Sequence, residues 1–279
     1  MNVRITQNFS KVNLLFFILP LLLLFLITLF LYSQNALSVN GYVQIQKDHF
    51  FALNSFLGQY PHLGFNLTPF GDALVFMALV SLFIVYAPKI WEALFSCLLI
   101  TLLLSSTLKN IFNVPRPAKA FDGESFIIIG QKLSGLNSLP SGHSMTIFAV
   151  LTVLLLAFMP KKMFPKIGWS FLIIAVGLFL AFTRVGVGAH FPMDVIIGCI
   201  IGYIAGGLGI LISHKYKIWT WIGNTKYYPI IMVMFFASCL ILVGRIINDH
   251  LIIIYYLALA CLIISLLKIS MIYAKSIQK

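Results

Sequence analysis

The chain has 279 residues, of which 61% are hydrophobic and 9% charged, and 19 Lys and Arg against 7 Asp and Glu give a formal charge of +12. A water-soluble domain carries roughly a quarter charged residues, so this composition excludes an ordinary soluble globule and indicates an integral membrane protein. Apolar runs of helix-spanning length exclude an outer-membrane barrel, and the cations are too few and too scattered for a nucleic-acid face.

In chain order, apolar stretches long enough to cross roughly 30 Å of hydrocarbon fall at 12–33, 69–87, 91–112, 143–159, 168–186, 194–213, 228–246 and 250–272. They predict an all-α, polytopic transmembrane helical bundle of about eight spans. The first is long and has no clear small-x-small cleavage site after it, which favours an uncleaved anchor over a signal peptide. Between the second and third spans Ala87-Pro88-Lys89 is the only visible turn. An even number of spans places both termini on one side.

Cytoplasmic loops carry the excess of Lys and Arg. With the N-terminus inside, twelve cations from Arg4 to Lys279 fall inside, and Lys47, Lys109, Arg116, Lys119, Lys132, Arg184 and Arg245 fall outside. Both termini are therefore expected in the cytoplasm. Of the two long outer segments, 34–68 mixes polar and aromatic positions, and Val43, Ile45, Phe51 and Phe56 suggest a short helix lying in the interface. Residues 113–142, with Pro115, Pro117, Gly123, Gly130, Gly135 and Pro140, read as an irregular loop. Cys97, Cys199, Cys239 and Cys261 all sit inside spans, as free packing residues with no metal-ligand spacing.

Ionisable groups near a bilayer are costly and point to function. Three clusters gather on the outer face. In the first, Lys109-Asn-Ile-Phe-Asn-Val-Pro115-Arg116-Pro117, Lys109 lies on the last turns of the third span and the prolines stop the helix. Arg116 can then fold back over the helix end, and two such cations suit a multiply charged anion. Two snorkelling cations capping a helix C-terminus would give the same pattern.

The second is Pro140-Ser141-Gly142-His143, directly before the fourth span. Ser141 is a good N-cap and Gly142 allows close backbone approach, so free N–H groups at a positive helix end form a phosphate site. His143 adds a proton donor for near-neutral pH. A capped helix start with an interfacial histidine is the plainer alternative.

The third runs Thr183-Arg184-Val-Gly186-Val-Gly188-Ala-His190-Phe-Pro192-Met-Asp194, between the fifth and sixth spans. Pro192 suits a first helical turn, which puts His190 at the helix entrance with Asp194 four residues on, on the same face. A carboxylate there can accept one ring N–H of His190 and leave the other nitrogen free to attack. Gly186 and Gly188 let Arg184 and His190 face a common ligand. A structural His–Asp pair would also satisfy this spacing. Taken together, the clusters supply three cations, two histidines, one carboxylate and a helix N-terminus on one face.

These residues resemble the three signature motifs of the type 2 phosphatidic acid phosphatase family, metal-independent membrane lipid phosphatases related to vanadium haloperoxidases. That pattern is Lys, six residues, Arg-Pro; then Pro-Ser-Gly-His; then Ser-Arg, five residues, His, three residues, Asp. Lys109, Arg116 and Pro117 match the first, Pro140 to His143 the second, and Arg184, His190 and Asp194 the third, with Thr183 in place of the usual Ser. The resemblance implies a six-span phosphatase core over 1–213, with 214–279 as a two-span extension. It implies that His190 attacks phosphorus, Asp194 orients it, and His143 protonates the leaving group. Lys109, Arg116, Arg184, Ser141 and Gly142 would hold the phosphoryl oxygens. It implies no metal and no cofactor.

A site on an outer membrane surface, supplied from the bilayer, points to a phospholipid or polyprenyl phosphate substrate. In a bacterial inner membrane the site would face the periplasm, where undecaprenyl diphosphate, phosphatidylglycerol phosphate and lipid A phosphate are candidates. Transfer of phosphate to another lipid, or a non-catalytic transporter or scaffold, are the competing readings. Asp72 is expected either as an early-turn acid or as a partner of a motif cation. His49, His62, His214 and His250 are expected at the interface, and Asp122 and Glu124 on a solvated loop.

Overall fold

The computed structural model describes residues 1–249 and 252–278. His250, the start of the last expected span at 250–251, and Lys279 lie outside the described residues. Every regular element among the described residues is helical. The order is α1 (Asn2–Phe9), α2 (Ile18–Ser33), α3 (Val39–Ile45), α4 (Lys47–Gly58), α5 (Pro61–Leu67), α6 (Ala73–Leu79), α7 (Phe83–Tyr86), α8 (Pro88–Phe112), α9 (Pro117–Ala120), α10 (Gly142–Ala157), α11 (Met163–Gly186), α12 (Pro192–Tyr216), α13 (Tyr228–Asn248) and α14 (Ile253–Ile277). Six of these regions are long and apolar enough to cross a membrane: Leu14–Ser33, Pro88–Ala120, Met163–Gly186, Pro192–Tyr216, Thr225–Asn248 and Ile253–Ile277. A seventh, α10, is apolar but only 16 residues long.

The expected span 69–87 is not one helix. It is a 3-10 turn at Thr68–Gly71 followed by α6 and the four-residue α7, with a tight bend at 80–82. The bend is stable in an apolar setting because other helices satisfy its polar groups. Trp91 Nε1 donates to the Val80 carbonyl at 3.2 Å, and the Ser81 and Ser265 hydroxyls lie 2.7 Å apart. The segment still runs from one end of the bundle to the other. Thr68 meets Arg184 at one end, and the Lys89 N–H meets Asn2 Oδ1 at the end that carries α1.

Segment 34–68 holds three short helices, α3 to α5, in place of one. Val43 is buried, Ile45 and Phe51 are half-buried and Phe56 is exposed. Segment 113–142 is irregular apart from α9. All four cysteines are free. His49, His62, His214, Asp122 and Glu124 are exposed.

Helix α12 is the central post, packed between α8 and α10. Its Gly198, Gly202 and Gly206 recur every four residues, so they share one face. A β-carbon on Gly198 would lie 2.7 Å from Ser141 O, one on Gly206 would lie 2.8 Å from Ala149 O, and one on Gly202 would overlap Met145 O. Small residues at this spacing let helix backbones touch in a membrane, where packing replaces hydrophobic expulsion as the source of association. The consequence is positional, because the N-termini of α10 and α12 are forced side by side. The α13–α14 hairpin closes a second apolar cluster with Val75 and Ala78 of α6, Ile84 of α7 and Trp91 of α8.

Candidate active site

The two adjoining helix N-termini set the site. Ser141 N donates to Asp194 O at 3.0 Å, tying the first turn of α10 to that of α12. Ser141 is fully buried, and its hydroxyl caps α10 by accepting from Ser144 N at 3.4 Å and from the Ser144 hydroxyl at 2.8 Å. Between α11 and α12 the chain reverses at Gly188, whose φ of +76° is a left-handed conformation that disfavours a side chain. The turn wraps over its own start, with Ala189 N and His190 N donating to Arg184 O at 3.0 and 3.2 Å. Arg184 and His190 are thereby held on one small loop.

His190 is 1% exposed. Its Nε2 faces Arg116 Nη1 at 3.3 Å, and the same Arg116 nitrogen donates to Ala189 O at 3.1 Å. Arg116 Nε donates to Asn137 Oδ1 at 2.7 Å. The 113–140 loop is pinned back on itself by Arg116 N to Gly135 O and Ser138 N to Val114 O, so Arg116 folds over the end of α8 as its flanking prolines suggest.

Asp194 departs from the simplest expectation. Its Oδ2 is 3.6 Å from His190 Nδ1, an ion-pair distance too long for a hydrogen bond. Oδ2 instead accepts from Phe191 N at 3.0 Å, capping α12, and from the Ser138 hydroxyl at 2.6 Å, while Oδ1 accepts from the Tyr42 hydroxyl at 2.8 Å. The Ser138 oxygen is also 3.4 Å from His190 Nδ1. The carboxylate turns back to cap its own helix, and a serine fills the gap to the ring.

Lys109, on the last turn of α8, reaches the start of α10. A β-carbon on Gly142 would sit 3.4 Å from its Nζ, so the glycine leaves the space that the ammonium uses. His143 packs against Gly71 of the 68–71 turn, where a β-carbon would overlap the imidazole. Arg184 is buried, with Nη1 donating to Thr68 Oγ1 at 2.7 Å. Its Nε is a buried donor without an acceptor among the described residues, a state native proteins rarely tolerate without a ligand or a functional reason. The charges of Lys109, Arg116 and Arg184 act on both His190 and His143. The structure thus brings the eight residues read from the three motifs into one place.

Burial first, and then the cations Arg116, Arg184 and Lys109, hold the His190 imidazole well below the usual histidine range, so it is neutral at pH 7. Burial and the Asp194 charge push the Tyr42 phenol well above its ordinary value, so Tyr42 stays a donor. A neutral ring with one nitrogen facing cations, and the other backed by a buried acid, suits nucleophilic attack on an anionic centre.

Several contributors were absent from the motif reading. Ser138 and Asn137 lie just upstream of Pro140, and their proximity to that motif is the only signal they carry. Tyr42, Thr68 and Gln46 carry none; Gln46 Oε1 accepts from Met193 N at 3.0 Å in the first turn of α12. Asn54 of α4 is buried, donates to Ile127 O and Val185 O at 2.9 and 3.0 Å, and accepts from Ile127 N at 2.8 Å, lacing the 113–142 loop to the end of α11. Asp72 caps α6, accepting from Leu74 N and Val75 N, and pairs with Arg245 at 3.0 Å. Its partner is a hairpin residue and not a motif cation.

Residues 90–219 match the model of the PAP2 superfamily. A lipid A 1-phosphatase of Rhizobium johnstonii is 32% identical over 161 residues, covering 50% of this chain and 63% of that protein. A lipid A 1-phosphatase of Rhizobium etli is 35% identical over 120 residues, covering 42% of this chain and 47% of that protein. The chain therefore spans less than two thirds of the length of either relative. A solved structure, "Crystal structure of Aquifex aeolicus LpxE", is 25% identical and covers 63% of this chain and 96% of its own, with a TM-score of 0.44.

Proposed function

Taking residues 90–219 as a segment of the PAP2 superfamily, we propose that this chain is a metal-independent membrane phosphatase acting on a lipid-linked phosphate or diphosphate of the cell envelope. Lipid A phosphate is the first candidate because two relatives are lipid A 1-phosphatases; undecaprenyl diphosphate and phosphatidylglycerol phosphate are the others. One observation carries the reading: His190 Nε2 faces Arg116, while Nδ1 is backed by Ser138 and Asp194.

Arg116, Arg184 and Lys109, with the Gly142 N–H at the start of α10, hold the phosphoryl oxygens, and the open Arg184 Nε gains an acceptor. Ser141 supports this cradle by capping α10. His190 Nε2 attacks phosphorus as the bond to the lipid oxygen breaks, and His143, protonated once the bound phosphate offsets the charges of Lys109, Arg116 and Arg184, gives that oxygen its proton. Asp194 and Ser138 stabilise the positive ring through Nδ1–H. Water, losing its proton to His143, then breaks the phosphorus–nitrogen bond and releases phosphate. Positioning and charge stabilisation supply most of the rate in phosphoryl transfer. In this reading 1–213 is the phosphatase core and 214–279 an extension, the site faces the periplasm of a bacterial inner membrane, and both termini are cytoplasmic.

The test is phosphate release by the purified chain from lipid A, undecaprenyl diphosphate, phosphatidylglycerol phosphate and phosphatidic acid, with trapping of phosphate on His190 by an alkaline denaturing quench, because the phosphorus–nitrogen bond is labile in acid. Release from at least one substrate, abolished in His190→Ala, is expected. No release from any of them, or full activity in His190→Ala, overturns the reading.

A further inference from the structure

The end of the bundle remote from His190 holds a cavity of about 690 Å³ between α1, the turn after α10, and the starts of α11 and α2. Helix α10 separates the two places: His143 stands at its first turn, and the carbonyls of Ala157 and Met159 at its far end accept from Asn8 Nδ2 of α1 at 3.1 and 3.2 Å. Sixteen helical residues put them about 24 Å apart. Three lysines from three different elements line this cavity: Lys11 after α1, Lys161 in the turn and Lys166 one turn into α11. No carboxylate lines it, and none of the three makes an ion pair among the described residues.

Behind the lysines the wall is apolar, built by Phe16, Leu155 and Ile174. Phe16 stacks on Tyr203 of α12 at 4.6 Å and 12°. The buried Asn8 fastens α1 to the end of α10 beside the cavity. Lys11, Lys161 and Lys166 are exposed and border one space, where their summed charge attracts an anion. Topology accounts for lysines in these loops, but not for three of them bordering one cavity with an apolar wall. A soluble anion would engage the lysines and leave that wall wet.

We infer that this cavity binds an anionic glycerophospholipid of the leaflet at the end of the bundle that carries α1, with its phosphate among Lys11, Lys161 and Lys166 and an acyl chain along Phe16, Leu155 and Ile174. Basic pockets between transmembrane helices are suited to such head groups. The site is separate from the chemistry at His190 and requires only that the chain spans a membrane.

Native mass spectrometry of the full chain in detergent, titrated with phosphatidylglycerol or with phosphatidylcholine, tests this. Wild type should retain phosphatidylglycerol in preference to phosphatidylcholine. The triple variant Lys11→Ala, Lys161→Ala, Lys166→Ala should lose about tenfold or more in that retention, and the corresponding triple Lys→Arg variant should keep it, which separates lost charge from lost folding. His190→Ala should bind as wild type does. Equal retention of the two lipids by wild type, undiminished retention in the alanine triple, loss of the site in His190→Ala, or displacement of the lipid by millimolar inorganic phosphate each overturns the inference.

Discussion

The Ser138 hydroxyl stands between His190 and Asp194, 3.4 Å from the ring Nδ1 and 2.6 Å from Oδ2. Asp194 is also held by Tyr42 at 2.8 Å and by the Phe191 N–H. The acid is thus fixed by three donors before the histidine is considered, and Ser138 joins it to the ring. If the proposed phosphatase reading holds, Ser138→Ala should lower kcat by roughly 10-fold to 100-fold, the scale of an orienting partner, with KM little changed. Tyr42→Phe removes one of the three donors and should cost less. Wild-type kcat in Ser138→Ala would assign the orienting role to Asp194 acting alone.

The pH dependence has a definite sign. His190 has a folded-state pKa well below 6.5, from burial and then Arg116, Arg184 and Lys109, while the unfolded chain has an ordinary value near 6.5. The unfolded state takes up more protons as pH falls, so the stability tied to a neutral His190 is whole above about pH 6.5 and is lost as pH falls below it. The Tm in detergent should drop from pH 7 to pH 5, with a shallower slope in His190→Gln. The acid limb of kcat/KM due to His190 should also lie below pH 6.5, moving upward in Arg116→Gln as a cation is removed. An acid limb at or above the ordinary histidine value in the wild type contradicts this electrostatic account.

Arg184 offers a buried Nε with no acceptor among the described residues and an Nη1 bonded to Thr68. Removing one such preorganised donor costs roughly 3 kcal/mol, or 10²–10³ in kcat, in other enzymes. Arg184→Gln should lose activity on that scale, and Arg184→Lys should recover little, because a point charge cannot serve both directions of the guanidinium fork. Steady-state kinetics on the best substrate of the panel decides it.

A cradle built from three cations repels a divalent metal and attracts an oxyanion. Activity should therefore be unchanged by a chelator and inhibited by vanadate, whose five-coordinate form mimics the transition state. Phosphate release measured after dialysis against chelator provides the check, and complete loss on chelation would sink the mechanism.

The glycine face of α12 predicts a sharp contrast in stability. Gly202→Val drives a side chain into the Met145 carbonyl and should destabilise by about 1–3 kcal/mol, lowering activity as the two helix N-termini part. Gly244→Ala on α13, where no described residue lies within 4 Å of the β-carbon, should be tolerated. Detergent melting curves of the two variants compare them directly.

Local chemistry determined what was readable in the sequence. Charge scarcity and the length of the apolar runs report the solvent, so the membrane class and most of the helices follow from them. Each motif is a short segment whose prolines, glycines and N-cap act within a few residues, and the likeness to a known family joined the three. Tertiary structure decided how the pieces meet. Hydropathy is blind to the bend at 80–82, because Trp91 and Ser265 satisfy the freed polar groups from elsewhere in the chain. The row Gly198, Gly202, Gly206 marks a close-packing face, but only the fold shows that α10 lies on it. Ser138 is 56 residues from Asp194, and Tyr42 is 152 residues away. A hydroxyl acquires an orienting role only where a buried carboxylate has lost its water, and that depends on packing between distant helices, which no local pattern encodes.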